Sequence, residues 1–191
     1  YRQVFEVNFF GTLQVTKAFL PLLRSRGGRI ITITSTQGFL TFPFLSAYGS
    51  SKFALEGLSD SLRREVEPHG VRVSLLEPGL IATPLLDFRF PEGSSSVYAS
   101  AEKAWFKGLV KTSIGAPSPK VTSEAIVHAI RTKTPRTRYT IGGQSGFLRF
   151  LAHLPGSWAD AVIIASTSAE VEVTDEELAQ LKLNSNAEYE L

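Results

Sequence analysis

At 191 residues, with 43% hydrophobic and 20% charged residues, the chain has the size and composition of one soluble globular domain. A net charge of +2 gives no electrostatic case for a nucleic-acid partner. The lack of cysteine excludes disulfides, thiolate zinc sites and cysteine nucleophiles.

Methionine is absent too, and Tyr1 leads straight into a helical pattern with no cap before it. The expectation is therefore the C-terminal part of a longer protein. No stretch approaches the ~20 apolar residues of a membrane span, so membrane contact is not expected and a cytoplasmic location is.

Residues 2–25 read as a helix whose apolar positions, from Val4 and Phe5 to Ala18 and Phe19, spread over wide faces and predict burial on more than one side. Pro21 should bend or end its last turn, and Gly27-Gly28 breaks it. The β-branched run 29–35 (RIITITS) fits a strand buried on both faces. A loop over 36–47 leads to an amphipathic helix over 48–67, with Ala54, Leu55, Leu58, Leu62 and Val66 as its apolar stripe. Pro68-His69-Gly70 ends that helix, and residues 71–79 (VRVSLLEPG) read as a second strand stopped by Pro78-Gly79. Two strands joined by a helical crossover predict a parallel sheet in an α/β fold.

Residues 85–120 are rich in Pro, Gly and Ser and should include a helix over 97–112. A connection this long often serves as a lid. Further helices are expected over 123–133, with Thr122 as N-cap, and over 147–154 and 158–165 either side of Pro155-Gly156. A short strand is expected at 138–142. Arg131, Lys133, Arg136, Arg138 and Arg149 read as a solvated basic group. From Ser166 onward seven acidic residues accompany one lysine, and Thr174 with Glu177 forms a capping box in a tail expected to be mobile. The organisation is thus one domain over 1–165 and a tail over 166–191.

Tyr48 and Lys52 stand one helical turn apart, and Ser35 lies at the end of the first strand pattern. A phenol has a reference pKa of ~10 and is a poor proton carrier at neutral pH. A lysine at i+4 shares its helix face, and its charge should favour the phenolate and lower the tyrosine pKa. Such a tyrosine can move a proton to or from an alcohol or carbonyl oxygen, and a serine hydroxyl can hold that oxygen. The three suggest alcohol/carbonyl redox chemistry. Asn8, inside an apolar helix, needs a polar partner, since a buried unpaired amide costs ~1–3 kcal/mol. His69, His128 and His153 lack ligand spacing, which argues against a metal. Glu65, Glu67 and Glu77 read as surface, cap or ion-pair residues. Phe39, Phe42, Phe44 and Trp105 read as core or as the lining of an apolar pocket.

Residues 7–11 (VNFFG), 27–35 (GGRIITITS), 47–66 (AYGSSKFALEGLSDSLRREV) and 71–85 (VRVSLLEPGLIATPL) resemble the short-chain dehydrogenases/reductases in type, order and spacing. The 48–67 helix is most similar to the branch acting on steroids, retinol and related lipophilic alcohols. The resemblance implies a doubly wound, Rossmann-like parallel sheet and an NAD- or NADP-dependent oxidoreductase, of which this chain is the C-terminal portion. It implies Tyr48 as acid/base, and Lys52 as the residue that lowers its pKa and binds the nicotinamide ribose. It further implies Ser35 as the substrate-orienting hydroxyl and Asn8 as the holder of a water linking Lys52 to solvent. Pro78, Gly79, Ile81 and Thr83 would border the nicotinamide, the last two at its carboxamide. A homo-oligomer through helices 2–25 and 48–67 is also implied.

The sequence departs from the family in lacking the glycine-rich phosphate loop, the residue that selects NAD or NADP, and about 100 residues at ~30 per βαβ unit. Gly142-Gly143-Gln144-Ser145-Gly146 is the only glycine cluster and comes in the wrong order to serve as that loop. The alternative is a catalytically incompetent fragment or pseudoenzyme, acting if at all through helix-mediated oligomerisation. An isolated chain with an open sheet edge should also be prone to aggregate.

Overall fold

The computed structural model describes residues 1–83 and 96–168, together with 172–174, 176, 177 and 179. One long helical segment opens the chain. It runs from α1 (Arg2–Phe5) through a π-helical stretch, Glu6–Gly11, into α2 (Thr12–Arg26). Pro21 lies inside α2 and does not end it. Gly27 closes the helix in the left-handed conformation, φ 66°, and the Gly28 amide bonds back to Leu23 O at 2.9 Å.

The strands β1 (Arg29–Ile33), β2 (Arg72–Pro78) and β3 (Arg138–Ile141) form a three-stranded sheet in that order. Both pairings are parallel, with Ile33 opposite Leu76 and Pro78 opposite Ile141. Helix α3 (Ser46–Val66) carries the chain from β1 to β2. Its Leu, Ala, Lys, Glu and Arg content favours helix, and a 3-10 turn at Glu67–His69 with Gly70 at φ 73° ends it. Helices α4 (Ala99–Ser113) and α5 (Lys120–Arg131) lie between β2 and β3. Helices α6 (Ser145–Leu151) and α7 (Gly156–Ser168) follow.

Helices cover both faces of the sheet. On one face Leu20 and Leu23 of α2 and Leu62 and Val66 of α3 pack against Ile30 and Val73. On the other, Val121, Ala125, Ile126 and Ala129 of α5 pack against Ile31, Leu76, Tyr139 and Ile141. Strand alternation divides the residues this way, since neighbours along a strand point to opposite faces. This is the predicted α/β architecture with a doubly wound parallel sheet.

Several expectations are corrected. β1 lies at the sheet edge and is only partly covered, with Ile33 50% exposed. The first helix packs on one side only, with none of its residues fully buried; Val7, Val15, Phe19 and Leu22 are exposed. Helix α5 begins three residues earlier than expected. Pro119, with its fixed φ, opens it and accepts the amides of Thr122 and Ser123, both at 3.0 Å. Thr122 is thus interior, and its Oγ1 has no hydrogen-bond partner. Of the proposed lid, residues 84–95 lie outside the described residues, as does most of the acidic tail. The ends of that segment meet where the Ala82 amide bonds to Pro117 O at 2.9 Å. The capping box is formed as expected: the Thr174 amide donates to Glu177, 3.0 Å, and the Glu177 amide to Thr174 Oγ1, 3.2 Å. Among the described residues, no helix is long and apolar enough to cross a membrane, and no group of three His, Asp or Glu could hold a metal.

Candidate active site

Ser35 stands just beyond β1. Its backbone is extended and its Oγ caps the 3-10 turn Thr36–Gly38, accepting the Gln37 amide at 3.1 Å. The same hydroxyl can donate to Pro78 O at 3.3 Å. Tyr48 lies in the first turn of α3, whose N-terminus abuts this turn, and Ser35 is the polar neighbour that acts on its phenol to lower its pKa. Lys52 follows one turn later, its Nζ 5.6 Å from the centre of the Tyr48 ring and 3.2 Å from Ile33 O, to which it donates. Ser35, just beyond β1, and Tyr48 and Lys52, both on α3, thus converge at the carboxyl end of the sheet.

The electrostatics differ from the sequence expectation. Burial pushes the Tyr48 phenol above its ordinary value, and the Ser35 hydrogen bond offsets only part of that. Burial also pulls Lys52 below the ordinary lysine range. Desolvation of both groups therefore outweighs the phenolate-favouring effect expected of the lysine charge.

Asn8 falls in the π-helical stretch, a distortion common at functional sites. Its amide donates to Ser51 Oγ, 3.0 Å, and Ser51 in turn donates to Tyr48 O, 2.7 Å. Asn8 therefore braces the helix that carries Tyr48 and Lys52, which supplies the polar partner that its apolar surroundings require.

Pro78 and Gly79 end β2 beside Ser35, and the Gly79 amide bonds to Ile141 O at 2.8 Å. A Cβ on Gly79 would lie 3.0 Å from Gly143 O, so two backbones meet here without side chains between them. Leu80 pairs with Gly143 in an antiparallel bridge, and the Ile81 side chain reaches over Gly142. Ile81 and Thr83 are half-buried. The Gly142-Gly143 pair is thus a packing element between β3 and the end of β2.

The aromatic residues divide. Trp105 is buried beside Phe44, 6.2 Å between ring centres, and Phe106, 4.9 Å. Phe42 packs on Leu151, Ala159 and Ile163. Phe39 lies under the Arg149 guanidinium at 3.9 Å.

A family model described as short chain dehydrogenase matches residues 1–92, which hold Asn8, Ser35, Tyr48, Lys52, Pro78, Gly79, Ile81 and Thr83. The chain belongs to the short-chain dehydrogenase family. It is 35% identical over 190 residues to the mitochondrial D-beta-hydroxybutyrate dehydrogenase of Bos taurus, covering 86% of this chain and 53% of that protein. It is 36% identical over 179 residues to human retinol dehydrogenase 5, covering 85% and 56%. A short-chain dehydrogenase structure from Streptomyces avermitilis superposes with a TM-score of 0.67 at 32% identity, over 87% of this chain and 61% of that one. One from Burkholderia cenocepacia, in complex with NADP, shares the fold at 23% identity and a TM-score of 0.62, over 84% and 57%. The chain spans about half the length of the relatives it matches.

Members of this short-chain dehydrogenase family use NAD or NADP, and the residues present fit one end of such a cofactor. The Lys52 ammonium and the hydroxyls of Ser35 and Tyr48 suit a nicotinamide ribose and a substrate oxygen. Among the described residues no strand-to-helix glycine turn is open to a pyrophosphate, since Gly142 and Gly143 are packed against β2.

Sequence reasoning missed a buried charge cluster beneath the site. Glu77 is fully buried on β2, between Arg138 Nε at 3.1 Å and Arg149 Nη2. Glu56 on α3 is 8% exposed and accepts both Nε and Nη2 of Arg138, at 3.1 and 3.0 Å. Arg138 and Arg149 are therefore not part of a solvated basic group. The available signal was a carboxylate inside each of two apolar patterns, at Glu56 in α3 and at Glu77 in the second strand.

Proposed function

We propose that this chain carries the proton-transfer site of an NAD(P)-dependent oxidoreductase that interconverts an alcohol and its carbonyl. The observation that carries the reading is the convergence of Ser35, Tyr48 and Lys52 at the carboxyl end of a parallel sheet, where ligands of open α/β folds bind. A bound nicotinamide supplies the hydride acceptor or donor. In oxidation, Tyr48 as phenolate takes the hydroxyl proton while the carbon-bound hydrogen leaves as hydride. Ser35 holds the oxygen by hydrogen bonding, and the Lys52 charge lowers the energy of the phenolate. In reduction the phenol returns its proton to the carbonyl oxygen as the hydride arrives. Lys52 would also hold the nicotinamide ribose, with Pro78, Gly79, Ile81 and Thr83 along the ring and its carboxamide. Asn8 keeps α3 in register through Ser51.

An apolar substrate is favoured by the aromatic residues of the Ser35–Tyr48 connection, of which Phe44 is exposed beside buried Trp105. Two of the relatives, a retinol dehydrogenase and a 17-beta-hydroxysteroid dehydrogenase, are named for apolar substrates, whereas the D-beta-hydroxybutyrate dehydrogenases are named for a small hydroxy acid. A homo-oligomer fits the exposed apolar residues Val15, Phe19 and Phe53 on α2 and α3.

One observation favours the competing reading of an incompetent fragment that acts through helix pairing: among the described residues no glycine turn is open to a pyrophosphate. Titrating NADH and NADPH against the chain, then assaying retinol, a 17-beta-hydroxysteroid and D-beta-hydroxybutyrate, separates the two. Saturable binding with turnover of an alcohol supports the oxidoreductase. No binding of either nucleotide favours the fragment reading.

A further inference from the structure

Glu56 sits one turn beyond Lys52 on α3, with its carboxylate aimed at the strand end that bears Ser35. The Thr34 hydroxyl donates to Glu56 Oε1 at 2.6 Å and also lies 2.9 Å from Leu76 O. The other carboxylate oxygen takes both nitrogens of Arg138. The turn after Ser35 closes directly over this side chain, since a Cβ on Gly38 would stand 2.9 Å from Glu56 Cγ. Glu56 thus touches both neighbours of Ser35 in the path of the chain: Thr34 before it and the Thr36–Gly38 turn after it.

Arg138 extends the link. It pairs with Asp60 at 2.9 Å and with Glu77 at 3.1 Å, and Glu77 directly precedes Pro78, whose carbonyl faces Ser35 Oγ. Burying such charges is not an efficient way to stabilise a fold, because desolvation rivals the attraction gained, and an apolar replacement is often as stable. What the cluster does supply is a fixed geometry among α3, β1 and β2.

We propose that Glu56 is a positioning residue, whose carboxylate clamps the Thr34–Ser35 strand end to α3 so that the Ser35 hydroxyl meets the Tyr48 phenol. The proposal rests on the reading of Ser35, Tyr48 and Lys52 as an alcohol/carbonyl redox site. Burial raises the Glu56 carboxyl, while the Thr34 hydrogen bond and the Arg138 charge lower it. In the variants without this carboxylate, Arg138 keeps Asp60 and Glu77 as partners.

The test compares Glu56→Gln, Glu56→Ala and Thr34→Val with the unaltered 191-residue chain by two independent measurements. The first is amide hydrogen exchange. Gln37 and Gly38, whose amides bond to Ser35, should exchange about tenfold faster in Glu56→Ala and Thr34→Val. The core amides of Val73 and Leu75 should stay within about twofold. The second is steady-state oxidation of retinol. In Glu56→Ala kcat should fall by about 10-fold to 100-fold, as expected for a displacement near 1 Å, with KM and NADH affinity within about threefold, and Glu56→Gln should recover part of the loss. Unchanged exchange at Gln37 and Gly38, or an equal rise throughout the core, would overturn the clamp. An unaltered chain that shows no turnover counts against the functional reading alone, and the exchange data still decide the role of Glu56.

Discussion

Tyr48 and Lys52 are the residues on which the chemistry turns, and each is displaced from its solution behaviour by burial. Burial raises the phenol and lowers the ammonium. The sign of the resulting pH dependence follows from which form works in each direction. Oxidation needs the phenolate, so its rate should climb with pH across the range below the raised tyrosine pKa. Reduction needs the phenol and should be flat over the same range. A pH–rate profile from 7 to about 10 in both directions checks this, and an oxidation rate that falls with pH would refute it. The catalytic trio was legible because its residue types and spacing are set by chemistry. The direction of the tyrosine shift was not legible, because desolvation depends on what packs around the ring and not on the i, i+4 lysine alone.

Among the elements, β2 carries the most. Every residue from Val73 to Glu77 is buried, because β2 lies between two strands and under helices on both faces. β1 lies at the edge. Leu76→Ala should therefore destabilise the chain by about 2–5 kcal/mol. Ile33→Ala, at the opposite position across the pair, should cost less than about 1 kcal/mol. Urea unfolding of the two variants measures the difference, and equal losses would show that β1 is not an edge. The order of strands and helices was readable from apolar periodicity and from the Gly and Pro that end each element. Helix α5 was misread at its start because threonine is a good cap in sequence, whereas Pro119 already sets the first turn. An ion pair was among the readings of Glu77, but its partners and the Glu56 pair were invisible because Arg138 and Arg149 come from distant parts of the chain.

At the scale of the molecule, the described residues leave an open groove of about 610 Å³ between the β1 edge and the apolar residues Val7, Val15, Phe19 and Leu23 of the first helix. An unpaired parallel edge beside an apolar helix face favours association. The isolated chain should sediment as oligomers at micromolar concentration, and Ile33→Lys, which puts a charge on the edge, should shift it toward smaller species. A monomeric, cooperatively unfolding chain would contradict this view of the groove. The sequence foretold an exposed edge, but not that the same helix would pack on only one side, since periodicity gives apolar faces without saying which of them is covered.

The central claim is that Tyr48 moves the proton in an alcohol/carbonyl interconversion. Replacing Tyr48 with Phe removes the hydroxyl and keeps the ring, so the packing around α3 is preserved. Turnover of retinol by Tyr48→Phe should drop by at least about 100-fold, while NADH affinity changes by no more than a few-fold. Near-normal turnover in that variant would contradict the account.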